Sequence, residues 1–327
     1  MNIRKVLWKA GRSLIISASR RTDIPAFYSE WFMERIHGGS FTRINPFWTR
    51  QQQEVSLLPE TVDAIVFWSK YPGPLLPHLK CLDRLGYRYY FQFTLNNYPG
   101  FIEPGVPDLA TRIDCFKRLS DQIGPDKVIW RYDPIIVSNM TGVDYHTGQF
   151  ETLAEVLSPY TRRVVISFLD IYSKVKSRLA KLARERGLEI CDIAEMENII
   201  QDDNRTGEAS RALACFTAKL SAIAAGNSLE IFSCAEKIDL AANLAGNTTG
   251  NQVHPGIQHG SCIDIQLINR LFNLKLKYRK DRSQRRECLC AAAVDMGVYN
   301  TCKFNCVYCY ANSGNRNGEW GHIENGP

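Results

Sequence analysis

The chain has 327 residues, 45% of them hydrophobic and 23% charged, which is enough apolar content to bury a large core and too much for disorder. Lys plus Arg number 40 against 34 Asp plus Glu, and the resulting charge of +6 is too small at this length to imply a nucleic-acid partner by itself. No apolar run reaches the length of a membrane span and the N-terminus lacks a signal peptide's order of regions, so no membrane partner and a cytoplasmic location are expected.

Short β-branched or aromatic runs alternate with segments of helical period, the pattern of repeated βα units and a parallel sheet. The first strand is expected near Leu14–Ser17, followed by a helix over Phe27–Ile36 that Gly38 and Gly39 stop. The second, Ala64–Trp68, precedes a helix over Leu75–Leu85. The third, Tyr89–Phe93, precedes Ile113–Ile123, and the fourth, Val128–Trp130, precedes Phe150–Leu157. After the fifth, Val164–Ser167, come helices over Ser173–Arg186 and Glu208–Ala225, and then the sixth strand at Leu229–Phe232. Polar residues follow every strand: Arg20, Arg21 and Asp23; Lys70; Thr94 and Asn96; Arg131 and Asp133; Asp170; Cys234 and Glu236. Loops at the C-terminal ends of parallel strands build ligand sites, so these side chains are expected to converge. Helix capping and ion pairing compete for the same residues, Asp133 holding Arg131 being one such pair.

The last expected feature is Cys302-Lys303-Phe304-Asn305-Cys306-Val307-Tyr308-Cys309-Tyr310, a C-x3-C-x2-C triplet. Three thiolates can hold three irons of a [4Fe–4S] cluster and leave the fourth iron open, and an open position separates a catalytic metal centre from a structural one. A zinc knuckle completed by His322 is the competing reading. The eleven cysteines of a chain without export signals read as metal ligands rather than disulfide partners. Cys234, Cys262, Cys288 and Cys290 suit a second closed site, an iron–sulfur cluster ahead of zinc. A hydrogen-atom donor among them is another role, and for Cys234 and Cys262 the competing reading is a small buried hydrophobe. Cys81, Cys115, Cys191 and Cys215 fall in or beside helical patterns and are expected to be core or inert thiols. The basic run from Lys275 to Arg286 reads first as a solvated connection and second as a polyanion grip.

The triplet resembles the signature of the radical S-adenosylmethionine (SAM) superfamily, although here it follows all six expected strands instead of the first. Ser17–Pro25, Trp130–Pro134 and Asp295 through Asn312 are similar to a prokaryotic family, domain of unknown function 1848, whose members carry the triplet in this late position. The likeness runs from about Leu14 to Asn312. It implies an α/β fold: a partial (β/α)6 TIM-like barrel over residues 1–242, its mouth closed by a cysteine-rich segment over 243–327. It also implies a [4Fe–4S] cluster on Cys302, Cys306 and Cys309, reductive cleavage of SAM to a 5′-deoxyadenosyl radical, and hydrogen abstraction from an unidentified substrate. An electron donor such as flavodoxin or ferredoxin would supply the reducing equivalent. Tyr308 fills the aromatic position whose backbone meets adenine in the superfamily. The superfamily's Gly-Gly-Glu segment is missing, so SAM contacts are expected among Arg20, Arg21, Arg131, Asp133, Asn96 and Glu236. Two alternatives stand beside this: an iron–sulfur electron-transfer or sensing protein without SAM chemistry, and a zinc-bearing nucleic-acid-binding protein using Lys275–Arg286.

Overall fold

Alternation along each apolar run sends successive side chains to opposite faces of one sheet, and the computed structural model, which describes residues 4–5, 13–45, 48–191, 207–237, 240 and 256–312, bears this out. Its strands are β1 (Arg4–Lys5), β2 (Ile15–Ala18), β3 (Ser40–Asn45), β4 (Trp48–Ser56), β5 (Ala64–Ser69) and β6 (Tyr89–Thr94). They continue as β7 (Val128–Ile135), β8 (Arg163–Phe168), β9 (Glu230–Cys234), β10 (Gln258–Gly260) and β11 (Val294–Asp295). Eight of them form one sheet in the order β10-β9-β8-β7-β6-β5-β2-β11, and every pairing in it is parallel. The six expected strands are β2 and β5 to β9. The chain adds β10 beyond β9 and returns to lay β11 against β2. A separate three-stranded sheet, β1-β4-β3, was not foreseen.

The helices are α1 (Ile24–Phe27), α2 (Ser29–Gly38), α3 (Leu79–Arg84), α4 (Leu109–Ile123), α5 (Val143–Leu157), α6 (Ser173–Arg186), α7 (Gly207–Gly226) and α8 (Ile265–Phe272). Their ends follow side-chain chemistry: Asp23, Asp108 and Asp264 accept from the first free N–H groups of α1, α4 and α8. Gly39 stops α2 at φ 71°, a conformation that costs glycine nothing. Among the described residues no helix is long and apolar enough to cross a membrane.

Both faces of the sheet are covered, as a parallel sheet requires. On one, Ile16, Phe67, Phe91, Trp130 and Ile166 pack under Phe32, Phe116, Phe150 and Phe216 from the helices. On the other, Ile15, Val66, Tyr90, Ile129 and Val165 meet Ile265, Leu267 and Ile268 of α8 together with Cys262 and Cys290. The C-terminal segment therefore does on this face what the crossover helices do on the opposite one. Each such side chain contributes roughly 1.5–3 kcal/mol of burial.

Beneath β7 lies His146 of α5, fully buried, with Nδ1 on the Tyr132 hydroxyl at 2.8 Å and Nε2 on the Ile136 carbonyl at 2.9 Å. Burial pushes its pKa down to about 4 from the ordinary value of 6.5. The folded state thus keeps the ring neutral where the unfolded chain protonates, and stability from this group is complete above about pH 6.5 and lost as pH falls toward 4. Denaturant melts of wild type and His146→Gln across this range should show the gap between them narrowing by about 3 kcal/mol toward pH 4. A gap independent of pH would mean that the ring is not held neutral.

Candidate functional site

The apolar face that receives α8 turns polar as each strand nears its C-terminal end. Counting in twos, Ile15 gives way to Ser17 and Ser19, Val66 to Trp68 and Lys70, Ile129 to Arg131 and Asp133, Val165 to Ser167, and Phe232 to Cys234. These ends and the C-terminal segment enclose a cavity of about 650 Å³, the size of a small-molecule site.

Arg20, Asp23, Lys70, Thr94, Arg131, Asp133, Asp170 and Cys234 all line it. Arg131 is 6% exposed at its side chain and grips Asp133 through Nε at 3.0 Å and through Nη2. Burial opposes ionisation of Asp133, but Arg131 and the Ser167 hydroxyl outweigh it and hold the carboxyl below its ordinary range. The Trp68 ring lies within 5.5 Å of the Arg20 guanidinium and 5.1 Å of the Arg131 guanidinium. Asp23 also caps α1 and accepts from Lys70 N at 2.7 Å, tying two strand ends together; burial pushes it up to about 7. Lys70 Nζ bonds Glu103 Oε1 at 2.8 Å, and Tyr308 donates its hydroxyl to the same carboxylate. Asp170 pairs with Arg285.

Two expected contacts do not line the cavity. Asn96 spans the end of β7, accepting from Asp133 N at 3.2 Å and donating to the Pro134 carbonyl at 3.4 Å. Glu236 accepts from Phe168 N at 2.9 Å, and burial pushes its carboxyl up to about 8. Both shape the strand ends. Of the basic run, Arg285 reaches the cavity, whereas Lys275, Lys277, Arg279, Arg282 and Arg286 are exposed, as a solvated connection would be. Cys115 is buried as expected, but Cys191 and Cys215 are exposed rather than in the core, since each falls on the outward side of its local pattern.

The cysteine triplet is held from several sides. Asp295 at the end of β11 accepts from Ser17 Oγ (2.9 Å), Ser19 Oγ (2.6 Å), Arg20 N (2.9 Å) and Gly297 N (2.9 Å), four hydrogen bonds on one carboxylate. Gly297 must lack a side chain, because a Cβ there would stand 2.0 Å from Ser19 Oγ. Gly105 packs as tightly against the Lys303 and Phe304 carbonyls and donates to Phe304 O at 3.0 Å. Tyr28 donates to Thr301 O at 2.8 Å, and Arg178 of α6 donates to the Cys306 and Cys309 carbonyls. No local signal marks Asp295 or Arg178 as individual residues, since one depends on donors from the other end of the chain and the other looks like any helix-surface arginine.

Cys302, Cys306 and Cys309 line the cavity, and the three thiols feel one another electrostatically. Burial pushes Cys302 up to about 12 and Cys306 well above the ordinary thiol value, so ionisation there calls for a cationic ligand. Cys234, Cys262, Cys288 and Cys290 line the same cavity. Among the described residues no group of three or more Cys, His, Asp or Glu stands in metal-ligating geometry, and His322 lies outside the described residues. By donor chemistry the triplet fits a three-thiolate iron–sulfur centre: soft ligands, a backbone fixed on several sides, and a cavity beside them for the open iron's ligand.

A family model described as Domain of unknown function (DUF1848) matches residues 15–311. No curated protein matches the chain.

Replacing Asp295 by Ala removes four bonds and strands buried donors, and should lower unfolding free energy by about 3 kcal/mol or more in urea melts. A loss under about 0.5 kcal/mol would show that the segment is held without it.

Proposed function

The chain belongs to the DUF1848 family, and from that premise we propose that it is a radical SAM enzyme built on a partial (β/α)6 barrel formed by β2 and β5 to β9. The observation that carries this reading is the shared cavity: three thiols of a C-x3-C-x2-C segment lie against the polar C-terminal ends of parallel strands. With cluster and SAM bound, one-electron reduction splits SAM into methionine and a 5′-deoxyadenosyl radical that takes a hydrogen atom from substrate.

The chain's own residues supply the setting. Cys302, Cys306 and Cys309 hold the cluster, and Arg178 fixes the Cys306 and Cys309 carbonyls while adding positive charge beside them. Arg131 is committed to Asp133 and Lys70 to Glu103, so neither is the natural partner for the methionyl carboxylate. Arg21 makes no ion pair among the described residues; it donates to Gly297 O at 3.4 Å and lies over the Tyr299 ring at the cavity wall. It is the cation we assign to that carboxylate. Tyr308 has its hydroxyl fixed by Glu103 and its ring 5.5 Å from the Lys70 ammonium, and its backbone is the group we assign to adenine. A flavodoxin or ferredoxin is the electron donor this chemistry calls for.

The test is reconstitution under anaerobic conditions with iron and sulfide, then dithionite and SAM, with 5′-deoxyadenosine quantified. Wild type should form it and Cys306→Ala should not, while Arg21→Ala should raise the dissociation constant for SAM by about tenfold or more. A fully loaded cluster that neither binds nor cleaves SAM would leave an electron-transfer or sensing protein instead.

A further inference from the structure

Four thiols outside the triplet converge from distant parts of the chain. Cys234 ends β9, Cys262 follows β10, and Cys288 and Cys290 precede β11. Cys262, Cys288 and Cys290 are 1%, 6% and 3% exposed. Cys234 Sγ and Cys262 Sγ are 3.1 Å apart, and the Cys290 thiol interacts with those of Cys262 and Cys288. None is in a disulfide.

The surroundings suit anionic sulfur better than neutral thiols. Arg131 presses Nη1 to within 2.5 Å of Cys262 Sγ, and its other contact from that nitrogen is a long one, 3.4 Å to Gln92 Oε1. Ile263 N donates to Cys290 Sγ at 3.5 Å. Arg20 stands within electrostatic reach of Cys290 and Cys262, and its Nη2 is buried with no hydrogen-bond partner. Asp133 balances the charge of Arg131 and Asp281 pairs with Arg20 at 3.4 Å, so what the sulfurs face is the guanidinium nitrogens left over, for which a neutral thiol is a weak acceptor. A thiolate accepts a charge-assisted bond.

We propose that Cys234, Cys262, Cys288 and Cys290 bind a second metal centre through four thiolates, with Arg131 and Arg20 as flanking cations. Four thiolates suit a single zinc-like ion or a [4Fe–4S] cluster; in either case four protons leave as the thiols become ligands, and the product carries a net charge of about −2. The 3.1 Å pair must open to about 3.8 Å for a tetrahedral ion with metal–sulfur bonds of about 2.3 Å, and further for a cubane. With every position filled by protein, the centre is closed to substrate. Its task is to staple the segment from residue 256 onward, whose regular structure is β10, α8 and β11, to the end of β9. This inference does not depend on SAM chemistry at the triplet.

The experiment uses the full chain carrying Cys302→Ala, Cys306→Ala and Cys309→Ala, purified anaerobically, with zinc, iron and acid-labile sulfide measured and circular dichroism confirming the fold. The expected result is about one zinc per chain, or about four iron and four sulfide, X-ray absorption distinguishing the two. Adding Cys262→Ser and Cys290→Ser should abolish that content. A folded triple variant without metal, whether its four remaining thiols titrate as free groups or mass spectrometry finds a Cys234–Cys262 disulfide, would overturn the proposal.

Discussion

The carboxylate of Asp295 is the point at which the molecule is closed. It stands at the end of β11 and accepts from Ser17, Ser19 and Arg20 at the end of β2, and from Gly297 just beyond itself. A partly buried carboxyl group calls for several donors, since each of its lone pairs would otherwise face a desolvation penalty. The cost of burial is what makes the joint specific: no shifted register of β11 against β2 would bring these donors to the same two oxygens. Everything downstream inherits that placement. Gly297 passes Ser19 at a distance only glycine allows, Thr301 meets Tyr28, and Phe304 packs edge-on to Phe27 with ring centroids 4.5 Å apart.

The cavity beyond this joint is crowded with charge that is mostly spoken for. Arg131 with Asp133, Lys70 with Glu103, and Arg285 with Asp170 are local pairs. The first two, which are the more buried, stabilise little by themselves once desolvation is counted, but breaking either leaves an ion stranded, so they hold the strand ends rigid. Glu103 is also shared with Tyr308 and lies 4.0 Å from the buried Arg112, so the aromatic residue of the cysteine segment is locked to the loop after β6. A site built this way has its polar atoms fixed before any ligand arrives, which lowers the ordering cost of binding.

Much of this was legible in the sequence where the signal is local. The triplet and its spacing are contiguous, and the six main strands show as apolar runs because both of their faces are buried. The rule that loops at strand ends converge placed Arg20, Lys70, Arg131, Asp133 and Asp170 at the cavity. It failed for Asn96 and Glu236, because counting in twos holds only while the backbone stays extended. Ala235 takes a left-handed turn at φ 57°, and Glu236 comes round to meet Phe168 N instead of facing inward. The strands β10 and β11, of three and two residues, are too short to carry any periodicity. Asp295 could be found only by knowing that residues 17 and 295 are neighbours, which no local pattern encodes.

That neighbourhood has a consequence in time. The contact from Ser17 to Asp295 spans 278 positions, so closing it in the unfolded chain would cost about 5 kcal/mol of chain entropy by loop-length scaling, and less once the strands between have paired. During synthesis the first six main-sheet strands leave the ribosome and can pair while the cysteine segment is still unmade. The polar strand ends then face open water without their thiol partners. The cavity is therefore incomplete until β11 and the cysteine segment after it have been made, and a chain truncated before β11 would lack that wall and its three thiols.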